Sequence, residues 1–185
     1  MAASHEHDDE HAEDPACSIA SGRAPLPDDL ADRTVVAVFA SPVAAFLLHF
    51  AHDLGYRTVL LEPDASAVDD EIRRHADTVV EAPDEKAIDA TADVVLTDHH
   101  RDDLGPVLRD ILDHPARWVG IMGSPHHTAP HIAALEALGV PAEQIARVHR
   151  PIGLNIGSRT PAEIAIATLA GLLADRSGRP GGFDF

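Results

Sequence analysis

The sequence predicts a doubly wound α/β fold, a mainly parallel sheet covered by helices on both faces in three layers, α/β/α. Three observations point to it. Short β-branched apolar runs alternate with stretches of helical periodicity, the runs are apolar throughout rather than at every second residue, and small or polar residues follow them. With 185 residues, 45% of them hydrophobic, the chain can bury the core of one domain but not of two comfortable ones.

Taken in order, TVVAVF (34–39) reads as a strand, and PVAAFLLHFAHDLG (42–55) as a helix with Val43, Phe46, Leu47, Phe50 and Leu54 on one stripe and Gly55 as its stop. RTVLLE (57–62) is a second buried strand, DASAVDDEIRRHA (64–76) a helix, and TVVE (78–81) a third strand. DVVLT (93–97) and RWVGIMG (117–123) are further strands, separated by the helix-like DDLGPVLRDILDH (102–114). HHTAPHIAALEALG (126–139) and PAEIAIATLAGLLADR (161–176) are the remaining helices, giving a Rossmann-type arrangement. The domain is expected over 34–175. Residues 1–33 carry nine acids and two arginines without aliphatic periodicity and read as a disordered acidic tail; 176–185 read as a flexible end.

Charge excludes several function classes. Acids outnumber Lys plus Arg by 31 to 14, a net charge of −17, so no basic face exists for nucleic acid or an anionic membrane. No apolar run is long enough to span a bilayer and the N-terminus lacks a signal-peptide pattern, so the expected location is cytoplasmic. Cys17 is the lone cysteine, which excludes an intramolecular disulfide and a thiolate metal cluster. His5, His7 and His11 lie among the tail's carboxylates and read as incidental.

Sheets of this kind bind ligands beyond the C-terminal ends of their strands, so residues just after each apolar run are the candidates. After the first strand, FASPVAA lacks the G-x-G-x-x-G of dinucleotide binders; Ser41 caps the next helix and Pro42 suits its first turn but removes an amide donor. Glu62 stands where a ribose-binding acid belongs, or is a strand-end carboxylate facing water. Thr97, Asp98, His99 and His100 in TDHHRDD could contact ligand, shuttle protons or hold a metal; alternatively the histidines are loop residues and Asp102 or Asp103 caps the helix. Gly123 and Ser124 open GSPHHT, a turn whose amides could form an anion nest.

PIGLNIGSRTPAEIAI (151–166) is the densest motif. Thr160, Pro161 and Glu163 form a capping box with proline at the first helical position. Gly153 and Gly157 let the preceding chain bend, Asn155 tolerates left-handed geometry, and Arg159 puts a cation beside a helix N-terminus, which suggests an anionic ligand.

The run from WVGIMGSPHH through VHRPIGLNIGSRTPAEIAIATLAGLLA resembles the C-terminal Rossmann domain of the xanthine dehydrogenase accessory protein family (XdhC/CoxI), closely in the second segment and more weakly over 34–175. The resemblance implies a maturation factor for a molybdenum hydroxylase, a client of the xanthine or carbon monoxide dehydrogenase type, that binds molybdenum cofactor (molybdopterin) and assists its insertion. It implies a chaperone rather than a catalyst, so no catalytic residue and no metal ligand is assigned, and a homodimer is a further expectation. Three features depart from the family. FASPVAA replaces its glycine-rich turn, Pro125, His126 and His127 stand where basic residues often follow the G-S, and only a short tail with Cys17 precedes the domain. Two alternatives stay open: a NAD(P)-dependent oxidoreductase, which the missing glycines oppose, and a ligand-free interaction module.

Overall fold

The computed structural model describes residues 15–20, 32–123 and 129–182. Contacts divide the chain into two units, residues 1–30 and 31–185. In the first, within the segment expected to lack regular structure, the described residues form a short helix, α1 (Pro15–Ala20), with proline at its first position.

The second unit contains a six-stranded sheet: β1 (Thr34–Val38), β2 (Arg57–Leu61), β3 (Thr78–Val80), β4 (Ala92–Leu96), β5 (Trp118–Ile121) and β6 (Val148–His149). Its order is β3-β2-β1-β4-β5-β6, every pair parallel. This is the doubly wound Rossmann order, whose direction reverses between β1 and β4. The helices are α2 (Pro42–Asp53), α3 (Asp70–Arg73), α4 (Leu104–Leu112), α5 (Pro130–Ala137), α6 (Ala142–Ile145) and α7 (Pro161–Arg176). None among the described residues is long and apolar enough to cross a membrane.

The continuous apolar strands have a simple cause. Side chains alternate across a strand, and here both faces are covered. Val35 and Ala37 of β1 pack with Leu47 and Leu48 of α2 and Leu169 and Leu172 of α7, while Val36 and Val38 pack with Leu108 and Ile111 of α4 and Leu135 of α5. The helix expected over 64–76 is broken. A 3₁₀ turn, Ala65–Ala67, ends at an extended Val68, and Asp69 then caps α3 by accepting the amides of Glu71 and Ile72. Short polar side chains that bond their own backbone outcompete helical periodicity here. Elements α6 and β6 escaped the sequence reading; with four and two residues, they are too short to carry a period.

The N-terminal edge of the sheet is held by charge. Asp93 of β4 is fully buried and accepts from Arg117 Nε on one oxygen and from Arg176 Nε on the other, the latter at 2.7 Å. Arg117 also reaches Asp175 (2.6 Å), and Arg176 reaches the Thr91 carbonyl (2.6 Å) and lies over the Tyr56 ring. The last turn of α7 is thereby fastened to the start of β4. Removing one partner of such a buried cluster strands the others. Asp93→Ala is expected to cost about 3 kcal/mol in chemical denaturation; a loss within 0.5 kcal/mol, the range of a surface change, would refute the clamp.

Candidate functional site

Beyond the strand ends the crevice divides at Ser41 and Thr97. Thr97 Oγ1 lies 2.8 Å from the Phe39 carbonyl and 3.1 Å from that of Val38, and Ser41 Oγ lies 2.9 Å from it. Ser41 Oγ also accepts the Ala44 amide at 3.0 Å, capping α2. Both hydroxyls therefore close the junction of β1, α2 and β4. Phe39, in the turn itself, has φ of 71°, left-handed geometry that glycine would adopt without strain, and its ring is fully buried.

On the β2 side, Glu62 is fully buried. Its carboxylate accepts the amides of Ala40 (2.7 Å) and Asp64 (2.9 Å) and two guanidinium nitrogens of Arg101 (3.3 and 3.2 Å). Arg101 is gripped from its other side by Asp103 through two bonds of 3.0 Å. Asp103, then Glu62, hold the guanidinium above its ordinary pKa. Asp103 stands at the N-cap position of α4 but makes no side-chain cap bond. Asp64 makes a local turn with Ser66, whose hydroxyl and then amide keep that carboxyl below its usual value.

On the other side lies a cavity of about 730 Å³. Its floor is Thr97, His99, Met122 and Gly123 after β4 and β5; one wall is the segment 151–158; the other comes from Val43 of α2 and Ile164, Ala167 and Thr168 of α7. The wall is built on a close backbone contact. Gly153 has φ of 80°, and a Cβ there would lie 3.0–3.1 Å from backbone atoms of Ala167 and Thr168, while Gly171 faces Gly153 at similar range. The Leu154 amide donates to the Ala167 carbonyl at 2.9 Å. Asn155 does not use the left-handed geometry it tolerates; it centres a three-residue turn in which the Ile156 amide donates to the Leu154 carbonyl at 2.9 Å. Beyond it, the Glu163 carboxylate accepts the amides of Arg159 (2.6 Å) and Thr160 (3.0 Å), which hold its pKa down in that order, and Thr160 accepts the Glu163 amide to complete the capping box.

The structure thus brings Thr97, His99, Gly123, Gly153, Asn155 and Gly157 together around one cavity. Ser41 and Glu62 lie across the junction. Asp98 accepts the His100 amide at 2.8 Å, and the exposed His100 ring lies 4.0 Å from that of His99 without lining the cavity. Arg159 is exposed and directly follows the lining Ser158 without itself lining the cavity. Ser124, Pro125, His126 and His127 lie outside the described residues, as do His5, His7, His11 and the side chain of Cys17. No group of three or more His, Cys, Asp or Glu among the described residues is placed to hold a metal ion.

Three residues were missed. Arg101 lies inside TDHHRDD, but its partner is 39 residues away, beyond any spacing rule. Arg150, next to the lining segment, brings its guanidinium to within 2.7 Å of where a Gly123 side chain would begin. His131 of α5 is buried, its Nδ1 has no partner, and burial, then Arg150, push its pKa below the ordinary value. None of the sixteen lining residues is a carboxylate, in a chain of net charge −17. The cavity can hold a ring-sized ligand against aliphatic walls, with Asn155, His99 and Ser158 offering polar contacts.

A family model described as the XdhC Rossmann domain matches residues 35–172. The Uncharacterized protein YqeB of Escherichia coli (strain K12) is 40% identical over 75 residues, 40% of this chain and 14% of that protein. A solved structure of a xanthine dehydrogenase (BH1974) from Bacillus halodurans is similar with a TM-score of 0.61 and 25% identity, over 78% of this chain and 45% of its own. The chain spans less than half the length of either.

Two measurements check this geometry. Gly153→Ala adds left-handed strain to a backbone collision and is expected to cost about 2 kcal/mol in denaturant titration; an unchanged midpoint would show that loop and helix do not meet. Burial, then Arg150, hold the His131 pKa below its ordinary value in the native state, whereas in the unfolded chain it protonates below about pH 6.5. The stability present above that pH is lost as pH falls toward the lower native pKa. The melting temperature should fall between about pH 7 and 5 and fall less in His131→Leu; parallel curves for the two proteins would exclude His131 as the source.

Proposed function

Because this chain belongs to the XdhC Rossmann-domain family, we propose that it is an accessory protein of a dehydrogenase of the xanthine dehydrogenase class. In this reading it binds molybdenum cofactor, a phosphorylated pterin, and presents it to a molybdenum hydroxylase. The observation that carries the reading is the carboxylate-free cavity, with Arg150 and Arg159 at either end of its 151–158 wall. In an acidic chain, a cavity lining that omits carboxylates, with two arginines adjoining its wall, suits an anion even though Glu163 caps the nearby end of α7.

The residues present fit such a group. A volume of about 730 Å³ lies within the usual range for small-molecule sites. Met122, Ile152 and Leu154 offer apolar surface for a planar ring, while Asn155 and His99 can hydrogen-bond its edges. Arg159, at the N-terminal end of α7, would hold the phosphate. The cofactor supplies the molybdenum chemistry once in the client; this chain would contribute binding, orientation and partial exclusion of water.

Native mass spectrometry of protein purified from a cofactor-producing host should find a pterin-sized adduct. Arg159→Ala should weaken binding by about 1.5–3 kcal/mol, as for a charge-assisted hydrogen bond, and leave the melting temperature unchanged because the side chain is exposed. Recovery of wild-type protein free of pterin from such a host counts against the reading.

A further inference from the structure

We infer that the adenosine half of this crevice is closed by the chain's own side chains, and that Arg101 is the specificity-determining residue that excludes adenine dinucleotides. The inference does not depend on which ligand fills the larger cavity. In a sheet of this strand order a dinucleotide straddles the reversal between β1 and β4. Its pyrophosphate takes the amides at the start of α2, and its ribose hydroxyls bind the acid at the end of β2.

Here several of those partners are already engaged. The Ala40 amide donates to Glu62, the Ala44 amide donates to Ser41 Oγ, and residue 42 is a proline with no amide to give. Glu62 receives four donors on its two oxygens, two of them from Arg101. Arg101 thus makes the contacts that ribose hydroxyls would make, and its positive charge compensates a fully buried carboxylate more strongly than neutral hydroxyls can. Its guanidinium also lies 4.7 Å above the Phe39 ring, within the turn that dinucleotide binders build from glycine. Asp103 holds it there from the far side. The hollow that remains beside this turn is only about 250 Å³ and is lined by Asp69 and Glu71, carboxylates that repel a pyrophosphate. A ligand is therefore confined to the β4–β5 side of the reversal, which favours a single heterocycle bearing its own phosphate over two joined nucleotides.

The test is calorimetric titration of NADH and NADPH into the full chain. Wild type should show no saturable binding at concentrations up to about 1 mM. Arg101→Ala and the milder Arg101→Gln, carried in parallel with melting curves, should bind NADH at least tenfold more tightly than wild type, and adding Glu62→Gln should remove the gain. Low-micromolar binding of either dinucleotide by wild type overturns the inference whether or not the variants fold. So does a folded Arg101 variant that gains nothing. Loss of NADPH binding on removing Arg101 would make the arginine a phosphate ligand instead of a barrier. None of these outcomes bears on the pterin adduct, so this inference and the proposed function can fail separately.

Discussion

A carboxylate buried to zero exposure must be compensated, and much of the ligand-facing end of this domain follows from how Glu62 meets that requirement. Its partners come from three places: the turn after β1, the turn after β2, and the loop after β4. Satisfying one charge therefore fixes three loops. Arg101 in turn engages Asp103, which stands at the N-cap position of α4. The start of that helix is tied to the same network.

At the opposite edge of the sheet, Asp93 plays a comparable part with Arg117 and Arg176. The two networks have different consequences. The Asp93 cluster anchors the C-terminal end of α7, leaving the other end of that helix to carry the cavity wall. Apolar packing of α7 against α2 sets its position along the sheet. The cavity lies between the free part of that helix, the residues that follow β4 and β5, and the 151–158 segment.

Much of this was legible in the residues. Strands covered on both faces must be apolar throughout, so TVVAV and DVVL announced themselves, and the Thr160–Glu163 box is local enough to be read as a string. Thr97, His99, Gly123 and the 153–157 segment were found from their places after strands and around glycines, and they meet at one cavity. What spacing could not reveal was through-space pairing. Glu62 reads as a ribose acid until Arg101 arrives from 39 residues away, and Asp69 ends a periodic stretch by bonding its own backbone. The two-residue β6 offers no pattern to read.

The contact between Gly153 and Gly171, with the Leu154 amide bonded to α7, bears on kinetics. A loop riveted to a helix need not be ordered by its ligand, so binding carries little conformational cost and little induced rearrangement. Exchange through the open mouth is then governed by diffusion against the field of an acidic chain. For an anion of the kind proposed, that field would slow approach, and added salt, by screening it, would hasten arrival even as it loosened the hold that Arg150 and Arg159 are proposed to give. On the proposed reading, association and affinity would respond to ionic strength with opposite sign, so salt would trade quick capture against long retention.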